Sequence, residues 1–157
     1  TPHRDASRTG EIESVEAAPA VNRVRALGRA DYQPPNVPLN QASKVVAVGR
    51  WGNDDGSISI ARQIAEKIGA HFAGDRSAFD SGWIEREQIV GVVGTEIAPD
   101  LYIAAGVAGD TLHRVGVEGA KFVVAIHPDP NAPIFKYADA GIVGKPKDVL
   151  PRLLELL

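Results

Sequence analysis

The chain contains no cysteine, which excludes disulfides, thiolate metal sites and cysteine nucleophiles. It contains no methionine either and begins with Thr1; the expectation is a processed chain or a piece of a longer one, and the character of its first residues favours the piece. No apolar run approaches the roughly 20 residues of a membrane-spanning helix. No amino-terminal apolar core resembles a secretion signal, so a soluble chain is expected. There is no long basic block and the net charge is −3, so nucleic acid is not an expected partner. The four histidines, His3, His71, His113 and His127, are scattered without metal-ligand spacing. A Ser/His/Asp arrangement and a Walker lysine motif are also missing, which leaves an independent hydrolase or dehydrogenase without support.

What is present begins with a change of character near Lys44. Residues 1–43 combine a polar start with Pro34, Pro35 and Pro38. Between these lie two weakly alternating segments, residues 11–17 and 21–27, each consistent with an extended strand. Together they predict an arm or linker that needs another body to pair with. From Lys44 to Leu157 the pattern is that of one α/β domain. VVAVG (residues 45–49) is a short apolar run ending in glycine, as expected of a strand buried on both faces. Ser57 is the expected cap of a helix in which Ile60, Ile64 and Ile68 recur four apart and which Gly69 ends. Further strands are predicted at residues 70–74, 101–105, 121–127 and 140–143. A last helix starts near Pro146 or Lys147 and presents Val149, Leu150, Leu153, Leu154 and Leu157. Strands alternating with helices at short spacing imply a doubly wound parallel sheet with helices on both faces.

In such sheets a ligand crevice lies outside the carboxyl ends of the strands. Arg50 follows the first strand, Asp75 and Arg76 the second, and Gly106 and Gly109 the third; His127 closes the fourth and Lys145 follows the fifth. The third strand is the most telling. In LYIAAGVAGDTLH (residues 101–113) an apolar burst stops at two glycines three apart and a helical pattern follows. A glycine turn feeding a helix can seat a phosphate on outward-pointing N–H groups, or it can serve chain geometry alone. Two arginines, a lysine and a histidine along the same rim point to an anion such as a diphosphate.

Several of these stretches, taken in order, resemble the carboxy-terminal domain of the α subunit of electron-transfer flavoproteins. VVAVGR (residues 45–50) is similar to the family's first strand with its arginine, and GDRSAFDSGW (residues 74–83) to its Ser-Arg-x-x-x-Asp-x-Gly-Trp segment. VGVVGTEIAPDLYIAAGVAGDTLH (residues 90–113) follows VGQTGKxVAPxLYIAxGISGAIQH, and DPNAPIFKYADAGIVG (residues 129–144) tracks DPxAPIFxxADYGIVG. The resemblance implies a Rossmann-like domain that holds extended FAD. It also implies a heterodimer with a β-like subunit, and a chain whose residues 1–43 are the tail of a missing amino-terminal domain. The implied activity is electron shuttling from a partner flavoprotein dehydrogenase or demethylase towards a quinone-linked oxidoreductase. The implied compartment is the bacterial cytoplasm or the mitochondrial matrix.

Carried over position by position, the resemblance puts Arg50 near the cofactor and Arg76 over the flavin ring. His113 would donate toward the pyrimidine carbonyl of the flavin. Residues 90–95 (Val90, Gly91, Val92, Val93, Gly94, Thr95) and the segment Gly106, Val107, Ala108, Gly109, Asp110, Leu112, His113 are implied to wrap the cofactor. Departures fall within the same set. Val92 and Val93 stand at the family's Gln-Thr, Ala108 at a serine and Leu112 at a glutamine. His127 stands at an asparagine, Lys145 at an aspartate and Asp75 at the serine before Arg76. One reading keeps FAD with fewer side-chain hydrogen bonds; losing one costs roughly 0.5–1.5 kcal/mol, too little to abolish a cofactor with many contacts. The other is a non-redox subunit that binds a different adenine nucleotide or serves assembly. Arg76 and His113, both retained, favour FAD. Trp51, where the family has glycine, covers either the cofactor or a partner surface, and the partner surface is preferred. Trp83 is expected to be a packing anchor, His71 to pack at a strand start, and Asp80 and Asp139 to bond neighbouring backbone.

Overall fold

The computed structural model describes residues 37–51 and 53–157. The two alternating segments at 11–17 and 21–27 lie outside the described residues. Five strands form one sheet: β1 (Lys44–Val48), β2 (His71–Gly74), β3 (Leu101–Ala105), β4 (Val123–His127) and β5 (Ala140–Val143). All neighbouring pairs are parallel and the spatial order is β2-β1-β3-β4-β5. The helices are α1 (Asp55–Ile68), α2 (Arg76–Asp80), α3 (Thr111–Val115) and α4 (Pro146–Leu156). β3 and β5 occupy the predicted residues, whereas β4 begins two residues late, at Val123, with Phe122 left exposed.

Alternation along each strand divides the core in two. Val46, Val48, Ile103, Ala105 and Ile126 face α1 and α4, meeting Ile58, Ala61, Ile64 and Leu150. Val45, Ala47, Tyr102, Ala104, Val123 and Ala125 face the other way. Short pieces cover that second face: the turn Leu39–Gln41 through Leu39, the loop after β2 through Val90 and Ile97, and the turn Pro133–Lys136 through Ile134. On the same face, His113 of α3 meets Tyr102. The doubly wound expectation holds, with the long helices on one side only.

α1 starts earlier than Ser57. Asp54 is the N-cap and accepts from the Ser57 N–H at 2.9 Å, while the Ser57 hydroxyl receives the Asp54 N–H at 2.8 Å. The serine is therefore the third residue of a reciprocal capping box rather than the cap itself. Trp83 is the expected anchor, half-buried against the α1 side of the core, and its Nε1 donates to Asp55 at 2.8 Å. His71 opens β2 with Nε2 3.0 Å from the Val37 carbonyl. Asp139 accepts from the Val123 backbone N–H at 2.8 Å. Asp80 departs from its expectation, since it pairs with Arg76 instead of backbone, at 2.8 Å.

Candidate functional site

β1 and β3 are neighbours whose chains leave the sheet in opposite directions, the first toward β2 and the second toward β4. Such a divergence opens a crevice at the strand carboxyl ends. A pocket of about 360 Å³ lies there. Arg50 and Trp51 line it after β1, and Asp75, Arg76, Ser77 and Asp80 line it after β2. The loop that follows contributes Val90, Gly91, Val92 and Val93, and the β3–α3 junction contributes Ala108, Asp110, Leu112 and His113. Segments far apart in sequence thus meet in one cavity. Its deeper wall is Val90 and His113, both buried, while Trp51, Val92, Val93 and Leu112 form an exposed, largely apolar mouth.

The local chain chemistry that builds this crevice is explicit. Asn53 spans its two sides, Nδ2 donating to the Gly49 carbonyl at 2.6 Å and the Ala105 carbonyl at 2.9 Å. Gly106 lies directly beneath, with φ +72°; a Cβ there would collide with the Trp51 carbonyl and stand 2.6 Å from Asn53 Nδ2. The loop after β2 is pinned to α3 because the Val92 N–H donates to the Leu112 carbonyl at 3.0 Å. Gly91, at φ +126°, permits that approach: a Cβ on it would sit 3.1 Å from the Leu112 carbonyl oxygen.

A carboxylate already sits at the helix N-terminus that follows the glycine turn of β3. Asp110 caps α3 and accepts from the His113 N–H at 2.9 Å. Asp75 likewise caps α2, accepting from the Ala78 N–H at 2.9 Å and the Ser77 hydroxyl at 2.6 Å. Each short helix therefore carries its own carboxylate where an anion would otherwise sit. With Asp80, three carboxylates face two guanidinium groups, Arg50 and Arg76, around the pocket. The Arg76–Asp80 pair is largely exposed, so the cation keeps its reach to the mouth while the solvent screens it.

His113 is the buried polar group of the site. Nε2 lies 2.7 Å from the hydroxyl of Tyr102, itself fully buried in β3. Burial is the largest influence on the imidazole and lowers its pKa; Asp75, Asp110 and the Val90 carbonyl act in the opposite direction and are outweighed. The Tyr102 hydroxyl is held well above its ordinary range, first by burial and then by Tyr137 and Asp75. It therefore keeps its proton, and we assign it as the donor to Nε2, which leaves the ring proton on Nδ1 near the Val90 carbonyl. Nδ1 is buried and closes no well-formed hydrogen bond. A neutral imidazole of fixed orientation, with one nitrogen still to be satisfied, suits a ligand carbonyl.

Not every expected residue joins the pocket. Gly106 lies beneath it, Val107 is buried in the core, and Gly109 packs against Ile134 and Tyr137. Gly94 and Thr95 form a tight return, the Thr95 N–H donating to the Ile89 carbonyl at 2.8 Å, and neither lines the pocket. His127 ends β4 and Lys145 follows β5, both outside the pocket lining. Trp51 is in the lining and also 47% exposed, and Ser77 and Asp80, which sequence reasoning missed as site residues, join it. Ser77 was legible in principle: a serine two residues after a cap aspartate reaches back to it, and here its oxygen also receives the Arg50 N–H at 3.3 Å.

Comparison with known proteins bears on this pocket directly. The family described as "Electron transfer flavoprotein FAD-binding domain" matches residues 38–118. That range takes in β1 through α3 and every segment that lines the cavity. Proteins named FixB from several Escherichia coli strains are 43% identical over 155 residues, 98% of this chain and 49% of theirs. The chain thus spans about half the length of the curated relatives it matches.

Proposed function

The chain belongs to the electron transfer flavoprotein FAD-binding domain family, and from that premise we propose that it is the flavin-holding part of an electron-transfer flavoprotein α-type subunit. The observation that carries this reading is the meeting of His113 and Arg76 in one pocket, with a buried imidazole nitrogen still to be satisfied. Bound FAD would supply reversible electron acceptance. The chain's own residues do the rest. Tyr102 orients His113, His113 Nδ1–H is the donor for a flavin carbonyl, and Arg76 supplies positive charge at the mouth, where negative charge develops on reduction. Asp75, Asp80 and Asp110 oppose that cation and set a less positive field than the arginines alone would give. No general acid or base is required, because electron transfer asks for a bound flavin, a tuned field and a short approach.

The apolar mouth of Val92, Val93 and Leu112 is the side on which a β-type subunit would complete the cavity. The residues before the matched segment, which begins at residue 38, are the tail of a preceding domain in this reading. Electrons come from a flavoprotein dehydrogenase or demethylase and leave toward a quinone-linked oxidoreductase. Among the described residues no helix is long and apolar enough to cross a membrane. The proposed carrier works in the bacterial cytoplasm or mitochondrial matrix. The test is the absorption spectrum of the full-length protein, with its co-purifying partner, through stepwise reduction. Flavin bands that bleach reversibly support the proposal. A folded, colourless protein that takes up no FAD overturns it.

A further inference from the structure

The charged residues that line the pocket do not share one environment. Of the described residues, Arg50, Arg76, Asp80 and Asp110 are exposed there, and Asp75 alone is half-buried. Water and salt screen the exposed charges, so the half-buried carboxylate keeps more of its field inside the cavity. Its position is fixed from two directions. The Asp75 N–H donates to the Val48 carbonyl at 3.1 Å, which ties the residue to the end of β1. Oδ1 accepts from the Ala78 N–H at 2.9 Å and from the Ser77 hydroxyl at 2.6 Å.

The other oxygen, Oδ2, takes no hydrogen bond from the described residues. It reaches toward the crevice floor: a Cβ on Gly49 would stand 2.6 Å from it and would also collide with the Gly106 carbonyl. Gly49 and Gly106 follow β1 and β3, the two strands whose divergence opens the crevice. The uncommitted carboxylate oxygen therefore faces the floor of the cavity that His113 closes from α3. Its charge is felt on that side. Burial dominates the imidazole, and Asp75 is the strongest of the influences that oppose it. Negative charge gained by a ligand beside His113 would meet the same carboxylate as repulsion.

We propose that Asp75 is a specificity-determining residue that selects the redox form of the ligand: its carboxylate disfavours an anionic, reduced flavin ring relative to the neutral, oxidised one. The inference rests on the flavin reading of the pocket. Uptake of two electrons and one proton leaves a flavin ring with a single negative charge, while its phosphate tail is unchanged. A midpoint potential compares those two states of one bound ligand, so any effect of Asp75 on the tail cancels. The experiment is a spectroelectrochemical titration of the full-length protein with its co-purifying partner, in wild type, Asp75→Asn and Asp75→Ser. Asparagine and serine each keep an oxygen for the Ala78 N–H, so the cap of α2 survives in both. Both variants raise the preference for reduced over oxidised flavin by about tenfold, an upward shift of about 30 mV in the two-electron couple. A purely structural role would not move that preference. If wild type and variants hold flavin and the preference changes by less than about twofold, or falls, the role of Asp75 is overturned while the flavin reading stands. Folded wild type that takes up no flavin overturns the flavin reading and this inference with it.

Discussion

Replacing Tyr102 by phenylalanine removes one oxygen atom from a fully buried position and leaves the ring packing as it is. What is lost is the 2.7 Å hydrogen bond to His113 Nε2. Nδ1 already lacks a well-formed partner, so the variant leaves both nitrogens of a buried imidazole unsatisfied. Orphaning a buried polar group costs about 1–3 kcal/mol, and a central value of about 2 kcal/mol lowers the melting temperature of a chain this size by about 4–8 °C. Thermal unfolding followed by circular dichroism gives the shift, and urea titration separates it from a change in compactness, which would alter the slope rather than the midpoint. A double-mutant cycle with His113→Leu assigns the loss to the pair, because the second change removes the group that Tyr102 serves. Strict additivity in that cycle would refute the reasoning, as would a Tyr102→Phe variant within about 0.5 kcal/mol of wild type.

Other consequences follow from the same geometry. Because burial holds the folded-state pKa of His113 below its ordinary value of 6.5, the unfolded chain takes up the proton first. This stability is complete above about pH 6.5 and is lost as pH falls toward the folded value, by up to about 1.4 kcal/mol per pH unit. Urea midpoints between about pH 7.5 and 5.5 should fall more steeply for wild type than for His113→Gln; equal slopes would contradict the assignment. Asp110→Asn keeps a capping oxygen for the His113 N–H, so stability changes by less than about 0.5 kcal/mol. It also removes a carboxylate from the pocket wall, and FMN affinity at low salt rises about two- to fivefold, an increase that fades in high salt; unchanged affinity would mean that Asp110 does not act on the ligand. Gly106→Ala meets both a positive φ and the Trp51 carbonyl, so it destabilises by about 2–4 kcal/mol, measured by chemical denaturation, and a near-neutral effect would show that the crevice floor yields.

The strands were legible because their apolar runs are short and bounded by glycine or charge. The limits of β3 and β5 follow from that punctuation alone. The apolar pattern starts β4 too early because Phe122 looks like a core residue, yet it sits before the pairing register begins and remains exposed. The pattern places the start of α1 at Ser57 because a serine before the isoleucine repeat reads as a cap; the reciprocal bonds make Asp54 the cap instead. In the site, the charged and glycine positions after each strand were readable from topology. Two things were not. An aspartate following a glycine turn reads equally as a ligand contact or as a cap, and Asp110 and Asp75 are caps. The Tyr102–His113 bond depends on which face of β3 the tyrosine occupies and on where α3 returns over it. Spacing along the chain does not encode that return.

Asn53 bridges the Gly49 carbonyl, just after β1, and the Ala105 carbonyl at the end of β3, the second of these 52 residues away from it in sequence. In folding terms this is a long loop to close, and its entropy must be met before any contact across it is gained. Closing the candidate crevice is therefore expected to be part of the slow step in assembling the sheet. Asn53→Ala should slow refolding in stopped-flow experiments more than it speeds unfolding; the opposite partition would mean that β1 and β3 join only after the folding barrier has been crossed.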